Sequence, residues 1–317
     1  MDEIAQHRPV IVGHCYRMLG SLVEAEDATQ DTLVRAVRAL DRFEGRSALR
    51  TWLLRIATNV CLDVLKRRTR RRERPMDHPP GTPAGPFEPT PAEDWVEPLP
   101  DAWVVPADAG PEAIATTRRN IRLAFVTALQ HLPPRQRAAL LLTDVVGMSA
   151  KEAAATLDSS VPSLNSALQR ARRTLATLER PVRPTPEDAD VVERYARAFE
   201  AYDTAGLVRL LTDDVAFQMP PIPLWVQGPA MVAAFLEGPG AECEGSILVP
   251  VRASGGPAFA QYRQGGRLAW GLVTLELTDG RISGIDTFLD VEALFPRFDL
   301  PMQWPRAGGA RKSDADR

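Results

Sequence analysis

Two stretches of this chain carry side chains whose types and spacing suit contact with a polyanion. The first is Lys66-Arg67-Arg68-Thr69-Arg70-Arg71-Arg72. Cations at this density neutralise phosphates and release condensed counterions, so binding through them weakens steeply as salt rises. The second lies between Gly147 and Leu175, where Ser163, Ser166, Gln169, Arg170 and Arg173 recur on one helical face. Hydroxyl, amide and guanidinium groups of this kind reach base edges and phosphates in a major groove. Covalent chemistry has no comparable candidate. The three cysteines, Cys15, Cys61 and Cys243, lie far apart, without disulfide framework or zinc spacing. No catalytic residue, metal ligand or cofactor is therefore assigned.

The second stretch needs an element pair to hold it. Ser149 followed by Glu152 is a capping box that opens a short helix with Ala153, Ala154 and Leu157 inward. Asp158-Ser159-Ser160 make a turn, because Asp tolerates a left-handed backbone. Val161, Leu164, Leu168, Ala171 and Leu175 then form an apolar stripe at steps of three and four. The pattern predicts a helix-turn-helix; a surface hairpin with a solvated face is the blander reading.

The basic run closes an all-helical block. Ile4–Leu19 and Val23–Leu40 read as helices, the second with Leu33, Val37 and Leu40 inward and an acidic outer face. After a loop at Asp41–Ser47, a helix runs from Ala48 to about Arg72 with Leu49, Leu53, Ile56, Val60 and Val64 inward. Upstream of the helix-turn-helix, Glu112–Gln130 and Pro134–Val145 read as two more helices. Residues 75–111 hold eleven prolines and no Lys or Arg, which marks a linker.

The net charge of −3 over 317 residues conceals strong segmentation. Residues 35–74 carry 13 Lys and Arg against 4 Asp and Glu, and residues 118–180 carry 10 against 4. Two basic blocks flanking an acidic spacer imply two nucleic-acid-binding units. No apolar run is long enough to span a membrane and no signal peptide is visible, so a cytoplasmic location is expected.

Two segments, EAEDATQDTLVRAV and GRSALRTWLLRIATNVCLDVLKRR, resemble the promoter-melting domain of the extracytoplasmic-function group of bacterial RNA polymerase sigma factors. HLPPRQRAALLLTDVVGMSAKEAAATL resembles the same group's second DNA-binding domain. The resemblance implies core RNA polymerase and promoter DNA as partners. It implies polymerase binding by Glu24, Asp27, Gln30, Asp31, Val34 and Arg35. It implies capture of the −10 strand by Phe43, Arg46, Ser47, Arg50, Trp52, Arg55, Asn59, Lys66, Arg67 and Arg68. An unpaired base needs stacking and hydrogen-bonding groups with cations nearby; core packing is an equal account of Trp52. The −35 readers it implies are Ser160, Ser163, Asn165, Ser166, Gln169, Arg170 and Arg173. Asn165 and Ala167 stand where the group more often has Lys and Arg, so the −35 sequence should differ.

The linker contains DWVEPLPDAW, whose Trp95, Leu99 and Trp103 read as anchors. They either thread the polymerase active-site channel, as the group's linkers do, or pack on the chain's own third domain, which is the favoured expectation.

From Pro186 the pattern changes to helices followed by strand-like runs at Ser246–Ala253, Ala258–Gln264, Arg267–Leu277 and Arg281–Leu289. Gly265-Gly266 and Asp279-Gly280 read as two-residue hairpin turns. This part resembles SnoaL-like domains of the nuclear-transport-factor-like kind. Asp203, Tyr262, Trp270 and Asp286 are conceivable pocket residues for an unknown small ligand, but no His and no carboxylate pair singles out a catalytic site. Residues 301–317 read as a frayed tail.

The expected fold is thus multidomain: two all-α helical DNA-binding domains (1–74 and 112–180, the second with the helix-turn-helix) and a C-terminal α+β cone with a curved antiparallel sheet (187–300). The expected function is that of an alternative sigma factor, regulated through intramolecular contact of the SnoaL-like domain with the sigma domains or linker. A one-component helix-turn-helix regulator with a ligand-binding domain is the alternative, and a cyclase- or isomerase-like enzyme a weaker third.

Overall fold

A computed structural model describes residues 2–45, 47–68, 71–91, 94–106, 108–178 and 188–304. The chain divides into two compact units. The first comprises Met1–Arg74, Glu93–Pro181 and Ala253–Gly255; the second comprises Pro75–Ala92, Val182–Arg252 and Gly256–Arg317.

In the first unit, α1 (Asp2–Ala5), α2 (Arg8–Leu19), α3 (Leu22–Ala39) and α4 (Leu49–Arg67) form the first helical block. The first expected helix is split before Arg8, and Gly20 ends α2 in the left-handed conformation at φ 71°. The inner face of α3 differs from expectation. Leu22, Ala25, Ala28, Thr29, Thr32 and Ala36 are buried, whereas Val37 is 45% exposed. Small side chains let α3 approach its neighbours closely. The buried threonines return their hydroxyls to the carbonyls of Ala25 and Ala28 at 2.6 and 2.7 Å, which removes the penalty of an unpaired polar group. Helix α4 stops at Arg67 rather than Arg72, and Arg68 is extended.

The second block contains α5 (Pro111–Arg119), α6 (Leu123–Gln130) and α7 (Pro134–Leu140), which continues as a π-helical turn over Leu141–Val145. The single helix expected over Glu112–Gln130 breaks at Asn120, leaving Ile121 fully buried. Then come α8 (Ala150–Thr156) and α9 (Val161–Leu178). The capping box between Ser149 and Glu152 is present in both directions. Asp158 makes the turn at φ 45°. Leu164, Leu168, Ala171 and Leu175 are buried as expected, whereas Val161 is 38% exposed in the first turn.

The second unit contains α10 (Asp188–Glu200), α11 (Thr204–Val208), β1 (Leu211–Gln218), β2 (Trp225–Gln227), α12 (Pro229–Glu237), β3 (Ile247–Ala253), β4 (Gly256–Arg263), β5 (Leu268–Thr278), β6 (Arg281–Phe288) and α13 (Val291–Leu294). The strand order is β2-β1-β6-β5-β4-β3. The sheet is mixed rather than wholly antiparallel, because β1 pairs with β6 in parallel. The long connection through β2, α12, β3, β4 and β5 brings β6 back beside β1 in the same direction. Asp279-Gly280 form the expected tight turn with φ of 50° and 71°. Gly265-Gly266 instead lie in a longer connection that starts at Gln264.

Tyr195, Phe199, Phe217, Phe235 and Phe259 belong to the apolar core between the helices and the sheet. The first half of the linker packs on this domain. Gly81 N–H donates to the Trp225 carbonyl at 2.8 Å, and Trp225 Nε1 donates to the His78 carbonyl at 2.7 Å. Thr90 N–H donates to the Pro221 carbonyl at 2.9 Å. The start of the expected tail is also fixed: Tyr262 donates to the Pro301 carbonyl at 2.8 Å, and Trp304 N–H to that of Gly266 at 2.8 Å. The rest of the tail lies outside the described residues.

Candidate nucleic-acid interface

On α3, Asp27, Gln30, Asp31, Val34 and Arg35 are exposed. Asp31 and Arg35 pair at 2.8 Å one turn apart, and Val34 is 46% exposed among them. Glu24 is different. Its carboxylate accepts from Arg68 and pairs with Arg72 at 3.5 Å. Arg68 also donates to the Leu19 carbonyl at 3.2 Å, and Arg72 donates to the Trp95 carbonyl at 2.7 Å. The two arginines fold back onto Glu24, so Glu24 and Arg68 hold the block together. Lys66 and Arg67 stay exposed.

Trp52, Arg55 and Asn59 share one face of α4, where Arg55 and Asn59 are exposed and Trp52 is half-buried. Phe43, from the preceding loop, lies against Trp52 with ring centroids 5.0 Å apart and planes tilted by 40°. Arg50 is exposed two residues before Trp52, on another side of α4, and Ser47 is half-buried in the loop. Arg46 lies outside the described residues. The aromatic pair offers stacking area, and its neighbours offer cations and an amide.

On the helix-turn-helix, Ser163, Asn165, Ser166, Gln169, Arg170 and Arg173 are exposed together. Ser160 has a capping role, since its Oγ accepts from Ser163 N–H at 3.3 Å. Arg172 turns away from that set. Its Nε and Nη2 donate to the two Asp144 oxygens at 2.9 and 2.7 Å.

The first unit joins both helical blocks. Arg137 is 3% exposed and donates to the carbonyls of Met18 in α2, Gln130 and Leu132. Gln130 donates to the Arg17 carbonyl at 3.3 Å. Arg55 and Asp158 approach to 4.0 Å, which sets the helix-turn-helix turn beside the aromatic face of α4.

The second half of the linker belongs to this unit as well. Trp95 and Leu99 are buried, and Arg8 stacks over Trp103 at 5.6 Å. Glu97 accepts from Ser21 Oγ at 2.7 Å and from Leu22 N–H at 2.8 Å, which supplements the cap of α3. Of the Trp-bearing stretch expected to pack on the third domain, Trp95, Leu99 and Trp103 group with the helical blocks, while Leu99 and Asp101 also bond the turn Ala253–Gly255 between β3 and β4. The turn Ala253–Gly255 is counted with the first unit too. There Ser254 Oγ accepts from Leu99 N–H at 3.0 Å. Asp101 accepts from Gly255 N–H at 2.7 Å and from Arg118 at 3.1 Å.

With two helical blocks, a helix-turn-helix and a mixed α+β domain in place, the comparisons are decisive. The family models for sigma-70 region 2, sigma-70 region 4 and the SnoaL-like domain match residues 4–71, 122–175 and 192–285. The ECF RNA polymerase sigma factor SigG of Mycobacterium tuberculosis is 43% identical over 311 residues, spanning 93% of this chain and 82% of that protein. The chain belongs to the ECF RNA polymerase sigma factors. The probable sigma factor SigI of the same organism is 26% identical over 92% of this chain and 93% of its own length. The crystal structure of Mycobacterium tuberculosis SigJ superposes with a TM-score of 0.62 at 21% identity, covering 95% of this chain and 99% of that one, and so shares its fold. As a sigma factor the protein directs transcription initiation by core RNA polymerase on promoter DNA and is not an enzyme.

The sigma factor's SnoaL-like domain does not gather the four polar residues considered for a pocket. Asp203 caps α11 by accepting from Gly206 N–H at 2.8 Å. Trp270 lies under Arg263 at 4.0 Å. Tyr262 packs edge-on against Phe295. Asp286 accepts from Gln218 within the sheet. No described helix is long and apolar enough to cross a membrane.

Sequence reasoning missed Arg137, Gln130, Glu97 and Asp101. For the linker pair a signal existed: acidic residues interleaved with Trp and Leu anchors are placed to meet backbone donors. Arg137 gave no signal, because a buried arginine on a helix reads as a surface one.

Proposed function

We propose that this sigma factor works through three surfaces and is held in check by its own third domain. Asp27, Gln30, Asp31, Val34 and Arg35 dock the polymerase clamp. Phe43, Ser47, Arg50, Trp52, Arg55 and Asn59 capture the non-template strand of the −10 element, with Lys66 and Arg67 on phosphates. Ser163, Asn165, Ser166, Gln169, Arg170 and Arg173 read the −35 duplex, with Ser160 capping their helix. The protein acts in the cytoplasm, where its polymerase works.

The packed unit is the form that must open. Elements named −10 and −35 lie about 25 base pairs apart, on the order of 85 Å at the rise of duplex DNA. In the packed unit Arg55 and Asp158 are 4.0 Å apart, so both readers cannot engage one promoter together.

The observation that carries the regulatory reading is Asp101, 4% exposed, whose carboxylate ties Gly255 of the β3–β4 turn to Arg118 of the second block. The turn has no room for a larger residue. Gly255 has φ 73°, and a Cβ there would sit 2.1 Å from the Arg118 carbonyl oxygen. Asp101 thus joins the linker to the second block and to the turn Ala253–Gly255 within the first unit.

Deleting residues 187–317 tests this. Promoter output in a run-off assay should rise while binding to core polymerase persists. Unchanged output would overturn the regulatory reading and leave the sigma function standing.

A further inference from the structure

We propose that Asp144 is a specificity-determining residue of the −35 reader: it positions the recognition helix α9 through Arg172. The inference rests on the reading of α9 as the −35 helix.

The apolar stripe of α9 decides which face turns inward, but hydrophobic contact is non-directional. Leu164, Leu168, Ala171 and Leu175 alone tolerate a small slide or roll of the helix on its bed. Reading base edges tolerates neither, because a bidentate contact with a base requires both hydrogen bonds in line. A directional tether is needed, and Asp144 supplies one. Two parallel bonds, Nε to Oδ2 at 2.9 Å and Nη2 to Oδ1 at 2.7 Å, join it to Arg172. A fork of this kind fixes orientation as well as distance. Arg172 follows Ala171 of the buried stripe and lies three residues after Gln169, so the tether acts at the end of the reading segment.

Asp144 is itself held in place. It lies in the π-helical turn Leu141–Val145, closed by Val146 N–H to the Leu141 carbonyl at 2.9 Å. The extra residue of such a turn re-aims the side chains that follow it, and π-turns recur at functional positions. Thr143 Oγ1 shares its single proton between Asp144 Oδ1 at 3.0 Å and the Ala139 carbonyl of α7 at 2.9 Å. The carboxylate thus meets Thr143 on one side and α9 on the other. Its pKa is lowered, chiefly by the hydrogen bond from Arg172, in keeping with a persistent ion pair.

Arg172 touches neither base nor phosphate in this scheme. Arg170 and Arg173 carry the salt-dependent affinity, so loss of the tether should spare non-specific binding.

The test uses holoenzyme reconstituted with core polymerase and promoter duplexes randomised over the −35 element. Wild type should select a defined sequence. Asp144→Asn should lose about tenfold in preference for it, the scale of one misaligned bidentate contact. Affinity for unrelated duplex and its salt slope should stay within about twofold. The charge swap Asp144→Arg with Arg172→Asp should restore part of the preference. Equal loss on selected and unrelated DNA, or no loss at all, would overturn the tether while the −35 reading stands. If wild type selects no sequence, the −35 reading itself fails. A melt of each variant by circular dichroism, with α9 still folded at the assay temperature, separates misplacement from unfolding.

Discussion

Arg137, in the block that carries the helix-turn-helix, donates to the main-chain carbonyl of Met18 near the end of α2. Carbonyls in the last turn of a helix lack intrahelical donors, so α2 presents acceptors and the second block fills them. Gln130 fills another, that of Arg17, at 3.3 Å. Arg137 also binds carbonyls within its own block, so replacing it would damage that block. Gln130→Leu keeps the bulk and removes the donor to Arg17 along with the Oε1 that accepts from Arg137, so its urea midpoint is measured beside the opening. One such bond contributes about 1 kcal/mol, or roughly fivefold in an opening equilibrium. Spin labels on cysteines introduced at Asp41 and Thr177 should report a broader and longer distance distribution in Gln130→Leu than in the parent. An unchanged distribution would count against the latch.

Glu24 and Asp31 occupy the same helix and should fail differently. Glu24 gathers Arg68 and Arg72, the latter 3% exposed. Glu24→Gln removes the negative charge that Arg68 and the buried Arg72 both face, so the urea midpoint of the first block should fall. Asp31 is exposed and, among the described residues, pairs with Arg35 one turn away. Asp31→Asn should leave the urea midpoint within error and weaken binding to core polymerase. The reverse pattern would exchange the two roles.

These assignments show what could be seen in the sequence. The helix-turn-helix was legible because its signals are local: the Ser149–Glu152 box, Asp158 in the turn and the stripe from Leu164 to Leu175 lie within one short stretch. The face of α3 was misread because apolar residues were expected inward, whereas Ala25, Thr29 and Ala36 are there and Val37 is outside. Close helix packing selects small residues, which periodicity of bulk does not reveal. The parallel pairing of β1 with β6 and the split of the linker between two units depend on contacts far apart in sequence. Among candidate site residues, Ser163 to Arg173 on the polar face of α9 and Arg55 and Asn59 of α4 are exposed, whereas Trp52 is half-buried. Glu24 and Arg68 diverged because opposite charges 44 residues apart met each other.

His14 should make the first block acid-sensitive. Its Nε2 lies 2.9 Å from Thr58 Oγ1, which donates its own proton to the Leu54 carbonyl. His14 therefore donates, and Nδ1 is left buried without a hydrogen-bond partner. Burial, with Arg17 adding to it, pushes the pKa down from 6.5 to about 3. Unfolded chains take up a proton below about 6.5 that the folded block refuses until about 3. Stability is thus full above that window and falls through it by up to tenfold in the unfolding constant per pH unit. His14→Gln should flatten this acid limb in urea titrations between pH 6 and 4. A limb of unchanged slope would assign the acid sensitivity elsewhere.

Phe43 and Trp52, 5.0 Å apart, should matter for strand opening rather than for polymerase binding. Both are half-buried, so each keeps ring surface available to a base. Stacking of a base on an aromatic ring contributes about 1–3 kcal/mol. Trp52→Ala should therefore weaken capture of a −10 single strand by about tenfold or more. Promoter opening, followed by 2-aminopurine fluorescence in the −10 element, should fall in parallel. Core polymerase binding should be unaffected, since the proposed clamp contact lies on α3 and not on α4. The salt slope of strand binding should also persist, because Lys66 and Arg67 remain. Trp52→Phe retains a ring and should recover most of the opening signal. If Trp52→Phe is as defective as Trp52→Ala, with the fold intact by circular dichroism, Trp52 serves the core and the stacking surface lies elsewhere.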